Sequence, residues 1–396
     1  MRVLYIVNSP VEYSSSASIR NTSLIKGLIE NGHEVELLTC FPNTESKYYD
    51  PTILDGLYSE VNYIDKVNQG YTNSNSGKRR INSSFYDRLR TSLYKLYNSV
   101  TIYDIRKSNL KRINNLEIKD SYDLIISSSD PKSSHLLAEK VSKRLKYKKW
   151  IQYWGDPLSA DINKKGIIPT NILKREELRL IKLADAVVYV SPITCNNQKK
   201  EFQKVSEKMY FFPIPIEEKE NKKIHNQAKN NIKLGYYGDY FKRDRNIMPL
   251  VNACKENDYY LEIFGSSDIE INKTSLINVN ERSTYSKIKT LEEKIDVLVC
   301  LCNKKGGQIP GKIYHYAATN KPILLILDGE NKKIISSFFN KYPNYFVCEN
   351  NESSIEEAIR LIEKKYCEIP PIQDFYSRKI AQDMIEEIFG DCKVEK

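Results

Sequence analysis

The sequence predicts an α/β protein built from two doubly wound domains that face a cleft. Apolar, strand-like segments alternate with amphipathic, helix-like segments from the first residue, and a second alternation of the same kind begins near residue 232. In addition, 396 residues are too many for one ordinary hydrophobic core. The alternation predicts parallel sheets, whose ligands bind at the carboxyl ends of the strands.

The first domain is predicted to span residues 1–212. Its segment RVLYIV is typical of a strand, IRNTSLIKGLIENG of a helix and EVELLTC of a second strand, and together they predict a βαβ unit. Gly32 follows the helix, as expected of a helix C-cap. After an interruption the alternation resumes with YDLIISSS and continues to KMYFFPIPIE.

A polar and basic insertion interrupts this domain near residues 66–115. Residues 66–82 carry few apolar side chains and predict a mobile segment. Over residues 85–112 apolar residues recur at helical spacing among basic ones, which include Arg106, Lys107, Lys111 and Arg112. Two interpretations stay open: a surface helix with a solvated basic face, or a helix that lies in the plane of an anionic membrane surface.

The apolar content falls after Ile216, and two spaced prolines mark a linker there. The second domain is predicted to span residues 213–370, and its last helix is IEEAIRLIEKKY. Residues 371–396 are predicted to add a final helix, RKIAQDMIEEIFG, that packs back on the first domain. The two halves share their architecture without a visible sequence repeat.

The composition narrows the classes of function. A net charge of +10 favours anionic partners such as nucleotide phosphates or anionic lipid head groups. Nucleic acid is not expected, because the sequence lacks zinc-finger spacing, an RNP-like motif and an Arg-rich recognition helix. The N-terminal apolar stretch is too short for a signal peptide, and no window has the roughly 18 apolar residues that span a bilayer. A soluble or membrane-peripheral protein is expected.

The eight cysteines are scattered, without a CxxC pair or a histidine at metal-ligand spacing. This pattern predicts a reduced, cytoplasmic protein with no structural metal. His135 lies on a predicted helix face, where a packed or solvent-facing histidine is expected.

Two strand ends in the second domain predict an anion site. In LGYYGDYFKRDRNIM, Gly235 and Gly238 permit a tight turn from a strand into a helix that begins near Asn246. Three cations precede this helix: Lys242, Arg243 and Arg245. They repel one another beside the positive helix end unless an anion binds, and Arg245 lies nearest to the helix. Gly265 ends another strand at the same edge and is a weaker indication.

The loop GGQIPGK at residues 306–312 is the second candidate for phosphate binding. Its glycines and proline expose backbone N–H groups before a short helix, and Lys312 adds a positive charge. His315 follows on that helix. The candidate residues of the loop are Gly307, Gln308, Ile309, Pro310, Gly311 and Lys312.

In the first domain, the segment QYWGDPLSAD follows a predicted strand. Asp156 and Asp161 are the carboxylates best placed for the cleft, and Asp156 is the candidate catalytic residue. WGDP is also an ordinary turn motif, so a purely structural role for Asp156 stays open.

Several segments, taken in order, resemble family 4 of the nucleotide-sugar-dependent glycosyltransferases, whose fold of two Rossmann-like domains is called GT-B. They are MRVLYIVNS, IRNTSLIKGLIENGHEVELLTC, LADAVVYVSP, LGYYGD with RDRNIMPLVNA, and above all QIPGKIYHYAATNKPIL. The resemblance covers nearly the whole chain apart from residues 66–115. It implies that a sugar moves from a nucleotide diphosphate sugar to an acceptor with retention of anomeric configuration, without a metal or a further cofactor.

By position, the resemblance implies that the second domain holds the nucleotide. Arg245 and Lys312 would contact the donor diphosphate, and the loop from Gly307 to Gly311 would supply backbone N–H groups. Such cations and amide dipoles stabilise the charge that grows on the departing diphosphate.

The sequence departs from the family pattern in both domains. The family commonly has two glutamates eight positions apart where this sequence has Gly307 and His315, and the later glutamate binds the nucleotide ribose. His315 can still hydrogen-bond a hydroxyl, so ribose contact and a neutral packed histidine both stay open. In the first domain, serines replace the usual paired glycines after the first strand, and Asp156 is the nearest substitute for an absent histidine.

The leading hypothesis is a cytoplasmic, membrane-peripheral glycosyltransferase that extends a surface polysaccharide or modifies a lipid-linked or protein acceptor. A second hypothesis is a catalytically silent protein of the same fold that binds an acceptor or a sister enzyme, and the departures at Gly307 and His315 motivate it. A third is a sugar-nucleotide epimerase. Nucleotide affinity separates the first two hypotheses, and product analysis without acceptor separates the third.

Overall fold

The computed structural model describes residues 1–46, 48–57, 60–64, 96–97, 99–116, 118–161, 166–218, 232–305, 308–365 and 369–390. The predicted mobile segment 66–82, residues 85–95 of the predicted basic helix, and Gly307 lie outside the described residues. The chain divides into two units. Unit 1 comprises Met1–Pro213 with Ile380–Lys396, and unit 2 comprises Ile214–Lys379.

Unit 1 contains a seven-stranded sheet in which all neighbouring strands are parallel. Its strands are β1 (Arg2–Ile6), β2 (Glu34–Thr39), β3 (Glu60–Tyr63), β4 (Ser121–Ser128), β5 (Lys146–Trp154), β6 (Ala186–Tyr189) and β7 (Met209–Phe211). They lie in the order β3-β2-β1-β4-β5-β6-β7. The central strands are buried along nearly their whole length, as in a parallel sheet that is covered on both faces.

The described residues of unit 1 delimit the helices α1 (Ser16–Glu30), α2 (Ser133–Ser142), α3 (Thr170–Leu183) and α4 (Pro192–Glu201), and 3-10 helices at Pro51–Leu54, Ile105–Asn115 and Gln203–Lys208. The ends of α1 follow from the sequence. Ser15 Oγ caps the start by accepting from Ser18 N at 3.0 Å. Gly32 ends the helix with a φ of +77°, which a glycine adopts without strain.

The basic segment is a 3-10 helix over Ile105–Asn115, where the sequence predicts the end of an amphipathic helix. Two cations bond to its carbonyl groups: Lys140 Nζ, on α2, donates to Leu110 O at 2.6 Å, and Arg144, which follows α2, donates to Ile113 O. These side-chain donors satisfy carbonyls that a continuing α-helix would bond internally. No described helix is both long and apolar enough to cross a membrane.

Unit 2 contains a six-stranded sheet that is also parallel throughout. Its strands are β8 (Lys233–Tyr237), β9 (Tyr260–Phe264), β10 (Ile277–Asn280), β11 (Val297–Leu301), β12 (Ile323–Leu327) and β13 (Tyr345–Glu349), in the order β10-β9-β8-β11-β12-β13. Counted within the unit, this is the order 3-2-1-4-5-6 of a doubly wound fold, and unit 1 has the same order with one more strand. The prediction of two doubly wound α/β domains is confirmed.

In the part of unit 2 that the structure describes, the helices are α5 (Met248–Glu256), α6 (Tyr285–Lys294), α7 (Lys312–Tyr316), α8 (Lys332–Phe339) and α9 (Glu352–Lys365), with a 3-10 turn at Gln373–Phe375. The two ends of the unit lie side by side. Ile216 N donates to Phe375 O at 2.9 Å, and Ser377 N donates to Ile216 O at 2.8 Å. The chain therefore enters and leaves unit 2 at one point.

The final helix is α10 (Ser377–Gly390), and its residues from Ile380 onward belong to unit 1. Within unit 1, Lys149 Nζ donates to Ile388 O at 2.5 Å and lies 5.2 Å from the centre of the Phe389 ring. A strand residue of the sheet thus holds the last turn of this helix.

Lys321 stabilises unit 2 by capping a helix. Its side chain is buried, and Nζ donates to the carbonyl oxygens of Glu292 at 2.6 Å, Glu293 at 2.8 Å and Ile295, at the C-terminal end of α6. We expect Lys321→Met to lower the free energy of unfolding by about 2 to 4 kcal/mol, because three acceptors lose a charged donor. Urea unfolding followed by circular dichroism measures the change.

The matched control for this variant is Lys332→Met. Lys332 forms an ion pair with Glu349 at 3.1 Å, and the two side chains are 35% and 63% exposed. Its loss should change the free energy of unfolding by less than about 1 kcal/mol. Equal unfolding midpoints for Lys321→Met and the wild type would contradict the capping role.

Candidate functional site

In unit 2, candidate residues gather where the strand order reverses, between β8 and β11. The chain continues from β8 to one side of the sheet and from β11 to the other, so the loops after these strands open a crevice at their carboxyl ends. The Arg245 side chain connects the loops after these two strands. Its Nε donates to Asn303 Oδ1, after β11, at 2.8 Å, and its NH1 donates to Asp239 O, after β8, at 3.1 Å.

Close backbone packing shapes the loop that carries Arg245. A Cβ atom on Gly265 would lie 2.0 Å from Gly238 O, so the loops after β8 and β9 touch backbone to backbone. Asp239 Oδ1 joins the same loops by accepting from Ser266 N at 2.9 Å. This packing accounts for the glycine at position 265, and ligand contact by Gly238 and Gly265 stays a prediction.

The two predicted arginines have different surroundings. The Arg243 side chain is 61% exposed and forms an ion pair with its neighbour Asp244 at 2.9 Å, whereas Arg245 is half-buried. Because the ion pair accounts for Arg243 without a ligand, its binding role stays a prediction. The helix predicted to begin near Asn246 begins at Met248.

The loop before α7 has a limited set of backbone donors. The amides of Ile313, Tyr314 and His315 donate to the carbonyls of Pro310 and Gly311 at 3.0, 3.1 and 3.2 Å. Pro310 has no N–H group, so it can shape the loop without donating. Backbone N–H groups for an anion would therefore come from the described residues Gln308, Ile309, Gly311 and Lys312.

Three side chains of this segment are polar. Gln308 Nε2 is buried and makes no hydrogen bond to another described residue. Lys312 Nζ lies 5.7 Å from the centre of the Tyr237 ring, and burial lowers the pKa of Lys312 below its ordinary value. A bound anion beside Lys312 would favour its charged form. His315, half-buried, lies on the same face of α7 three residues later.

In unit 1, Asp156 follows β5. This strand pairs with β4, and the strand order reverses between β4 and β1. Two hydrogen bonds join Ser129, just after β4, to the end of β5 and the residue that follows it. Gly155 N donates to Ser129 Oγ at 3.0 Å, and Ser129 N donates to Tyr153 O at 2.9 Å. This junction brings Asp156 into electrostatic contact with Asp130.

Lys132 forms ion pairs with two carboxylates near Asp156. Its side chain is only 9% exposed, and its Nζ pairs with Asp130 and, at 3.4 Å, with Asp161 Oδ2. Both Lys132 and Asp161 also interact electrostatically with Asp156. The structure thus brings together the two aspartates that the sequence predicts for this edge, and adds Asp130 and Lys132 to them.

Arg20 reaches the same place from α1. Its NH2 donates to Ser129 O, and its guanidinium lies 5.2 Å from the centre of the Tyr153 ring. A Cβ atom on Gly155 would lie 2.2 Å from Arg20 NH1, so position 155 has no room for a side chain while Arg20 occupies this path. A side chain at this position would require the Arg20 guanidinium to move.

The pKa values of Asp156 and Asp130 are shifted in opposite directions. Burial, reinforced by Asp130 and opposed by Lys132, raises the pKa of Asp156 to about 6. Burial would also raise the pKa of Asp130, but Lys132 outweighs it and holds that pKa below its ordinary value. Two carboxyl groups separated in this way provide one fixed anion and one group that exchanges a proton near neutral pH.

The sequence alone does not single out four residues of these arrangements: Asn303, Asp130, Lys132 and Arg20. Each meets a partner that is distant along the chain, and Asn303 is 58 residues from Arg245. Only their positions relative to the strands could have indicated a functional role. Asn303, Asp130 and Lys132 follow the ends of strands. Arg20 lies in the first helix after β1.

Among the described residues, no group of three His, Cys, Asp or Glu side chains could hold a metal ion. The described cysteines are buried. His135 is fully buried and stacks on Trp154 with a centroid distance of 4.4 Å. Burial lowers the pKa of His135 to about 3, so it is a neutral, packed histidine.

No family model matches the sequence, and no curated protein matches it. Solved structures match over nearly the whole chain. A glycosyltransferase from Rickettsia africae ESF-5 is 14% identical with a TM-score of 0.57, over 100% of this chain and 99% of that chain. The apo form of the lipopolysaccharide outer core galactosyltransferase WaaB is 12% identical with a TM-score of 0.52, over 99% of this chain and 100% of that chain.

The catalytic domain of starch synthase IV from Arabidopsis thaliana, bound to ADP and acarbose, is 10% identical with a TM-score of 0.55, over 99% of this chain and 96% of that chain. At such identities the similarity concerns the fold. The chain therefore has the two-domain, Rossmann-like fold of these proteins, which is named GT-B.

Proposed function

We propose that the protein is a glycosyltransferase that moves a sugar from a nucleotide diphosphate sugar to an acceptor hydroxyl. The observation that carries the proposal is Arg245, whose guanidinium is held by Asn303 and Asp239 at the reversal of strand order in unit 2. Doubly wound sheets bind nucleotides at this position, and a guanidinium suits a diphosphate. The fold supports the same conclusion, since proteins that share it include a galactosyltransferase and a starch synthase bound to ADP.

In this proposal, unit 2 supplies the donor side. Arg245 and Lys312 contact the diphosphate together with backbone N–H groups of residues 308–312. Gln308 Nε2, a buried donor, bonds a phosphate or hydroxyl oxygen of the same ligand. His315 contacts the ribose. As the bond between the sugar carbon and the diphosphate breaks, these groups stabilise the negative charge that grows on the leaving group.

Unit 1 supplies the acceptor side. Asp156, with a pKa of about 6, accepts the proton of the attacking hydroxyl, while Asp130 stays ionised beside Lys132. On the resemblance of QIPGKIYHYAATNKPIL, we assign the protein to family 4, with retention of anomeric configuration and no metal. Retention in one step requires that the hydroxyl attack the sugar carbon from the same face that the diphosphate leaves. The acceptor class is a glycan, a lipid-linked sugar or a protein on the cytoplasmic side, in the synthesis of surface polysaccharide.

The first test is calorimetric titration of the intact protein with UDP, GDP, TDP and CMP. Binding of one diphosphate supports the donor site and identifies the base. The matching nucleotide sugars are then supplied with lipid-linked and soluble acceptors, and the products are analysed. If neither binding nor turnover occurs across the panel, the proposal fails. The silent-partner hypothesis, supported by His315 in place of a glutamate, then takes its place.

We further propose that the protein contacts anionic lipid through the basic surface, defined as the exposed side chains of residues 105–112. Ile105 is 55% exposed there, and Lys107, Lys111 and Arg112 are exposed as well. An apolar side chain among cations is suited to the boundary between lipid head groups and acyl chains.

Replacing Arg106, Lys107, Lys111 and Arg112 by glutamine is expected to weaken binding to anionic vesicles by about tenfold or more. The reason is that each cation near such a surface contributes about 1 kcal/mol. Nucleotide affinity should not change. Cosedimentation with vesicles measures the binding. The matched control replaces four exposed lysines elsewhere in unit 1, Lys182, Lys199, Lys200 and Lys204. Equal sedimentation of the two variants would contradict the lipid contact.

A further inference from the structure

Glu177, on α3, is a fully buried carboxylate, with 0% of the residue exposed. Its Oε1 accepts from Leu158 N at 2.9 Å, and its Oε2 accepts from Ser159 N at 3.0 Å and from Ser159 Oγ at 2.5 Å. Burial raises the pKa of Glu177, although these donors oppose the change. Because a buried carboxylate is costly without hydrogen bonds, these bonds tie the two residues firmly to α3.

The residues that Glu177 holds lie in the middle of the segment 156–161. Asp156 comes just before them, and Asp161 comes just after them. The start of this segment is held separately, by the hydrogen bond from Gly155 N to Ser129 Oγ. Glu177 therefore sets the course of the chain between the two aspartates.

A carboxylate has a specific advantage at position 177. It offers one acceptor oxygen to each of two consecutive backbone amides, whereas a glutamine has a single acceptor oxygen and would turn its NH2 group toward the other amide. An apolar side chain would fill the same space with a smaller cost of desolvation. The choice of an acid is thus explained by the hydrogen bonds to the segment, and packing alone does not explain it.

We propose that Glu177 is a positioning residue, which holds the segment 156–161 so that Asp156 stays beside Asp130 and Lys132. It acts through Asp156 and has no contact with substrate. Its effect on the transfer reaction rests on the proposed function, whereas its effect on the surroundings of Asp156 does not.

The groups around Glu177 and Asp156 determine the direction in which the pKa of Asp156 is expected to change. Those that face Glu177 are Ser159, Tyr189 and Lys132. Those that face Asp156 are Arg20, Lys132, Asp130 and Asp161. If the segment loosens, Asp156 gains water and moves away from Asp130, and both changes lower its pKa. A greater distance from Lys132 opposes them, but burial is the largest cause of the raised pKa.

The test is Glu177→Gln in the full chain. Carbon-13 NMR follows the titration of the Asp156 carboxyl group, and Asp156→Asn assigns the signal. The wild-type midpoint is expected at about pH 6, and Glu177→Gln is expected to lower it by about one unit or more. An unchanged midpoint in a folded Glu177→Gln protein would overturn the proposal.

The matched control is Glu176→Gln. Glu176 precedes Glu177 on the same helix, but it accepts from Tyr103 OH at 2.5 Å and from Arg179 at 2.9 Å. This variant should leave the Asp156 midpoint in place, and a shift equal to that of Glu177→Gln would count against a specific role. If Glu177→Gln does not fold, Ser159→Ala removes one of the donors. It should give a smaller shift in the same direction, and no shift there would overturn the proposal.

Kinetics separates this inference from the proposed function. In Glu177→Gln the acid limb of the pH profile of transfer should move with the Asp156 midpoint, and kcat should fall by about tenfold or more while the donor KM stays the same. If the midpoint shifts although the wild-type protein transfers no sugar, the positioning role stands and the proposed function fails. If the wild-type protein transfers sugar and the Asp156 midpoint does not shift in Glu177→Gln, the proposed function stands and the positioning role fails.

Discussion

Asp156→Asn is expected to lower the rate of sugar transfer by roughly 100- to 10,000-fold, with little change in nucleotide affinity. Asparagine keeps the shape of the side chain but cannot take a proton from the acceptor hydroxyl. In the wild-type protein, the rate should rise with pH and level off above about pH 6, because only the ionised carboxylate accepts a proton and the pKa of Asp156 is about 6. The pH profile of kcat, measured for both proteins, checks the two expectations.

Stability measurements separate catalytic loss from misfolding in this variant. The pKa of Asp156 is raised from 3.8 to about 6 on folding, so the carboxyl group adds to stability below pH 3.8, and this contribution is lost as pH rises through about 6. Asparagine carries no charge to desolvate. Asp156→Asn should therefore be more stable than the wild type at about pH 8, by up to about 3 kcal/mol, and the gain should shrink toward about pH 4. A slow variant that is also less stable at the higher pH would contradict the assignment, and so would an unchanged rate.

Arg245→Ala is expected to weaken binding of the nucleoside diphosphate by about 1 to 3 kcal/mol, or roughly 5- to 150-fold. The guanidinium is held in place by Asn303 and the Asp239 carbonyl before any ligand arrives, so little side-chain freedom is lost on binding. Lys312→Ala should fall in the same range. Calorimetric titration with the diphosphate that binds the wild-type protein measures both variants.

Arg360→Ala is the matched control for Arg245→Ala. Arg360 lies on α9 of the same unit, is 61% exposed and pairs with Glu356 one helical turn away. Its removal changes the net charge of the protein by the same amount and should leave the dissociation constant within about twofold. Unchanged affinity in both Arg245→Ala and Lys312→Ala would eliminate the assigned phosphate site.

Much of the fold could be predicted, because a strand that is buried on both faces of a sheet requires a continuous run of apolar residues. The segments RVLYI and VLVCL are almost wholly apolar, and they form β1 and β11. The 3-10 geometry at Ile105–Asn115 could not be predicted in this way. Its carbonyl groups accept hydrogen bonds from Lys140 and Arg144, which lie elsewhere in the chain and leave no trace in the spacing of its own residues.

The candidate site was predictable where its residues follow the end of a strand. Asp156 and Arg245 can be named from that position alone, but their partners cannot, because polar residues after strands are common and nothing local indicates which of them meet. The two arginines at 243 and 245 show the limit. They stand two positions apart in the same turn, yet one pairs with Asp244 at the surface and the other bonds to Asn303.

The two ends of unit 2 adjoin, because Ile216 bonds to Phe375 and Ser377. This arrangement affects how the chain can evolve. A continuous stretch whose ends adjoin can be exchanged for a homologous stretch by one recombination event, without lengthening or rerouting the remainder of the chain. On the proposed division of labour, that exchange would give the protein a new sugar donor while the residues around Asp156 continued to select the same acceptor.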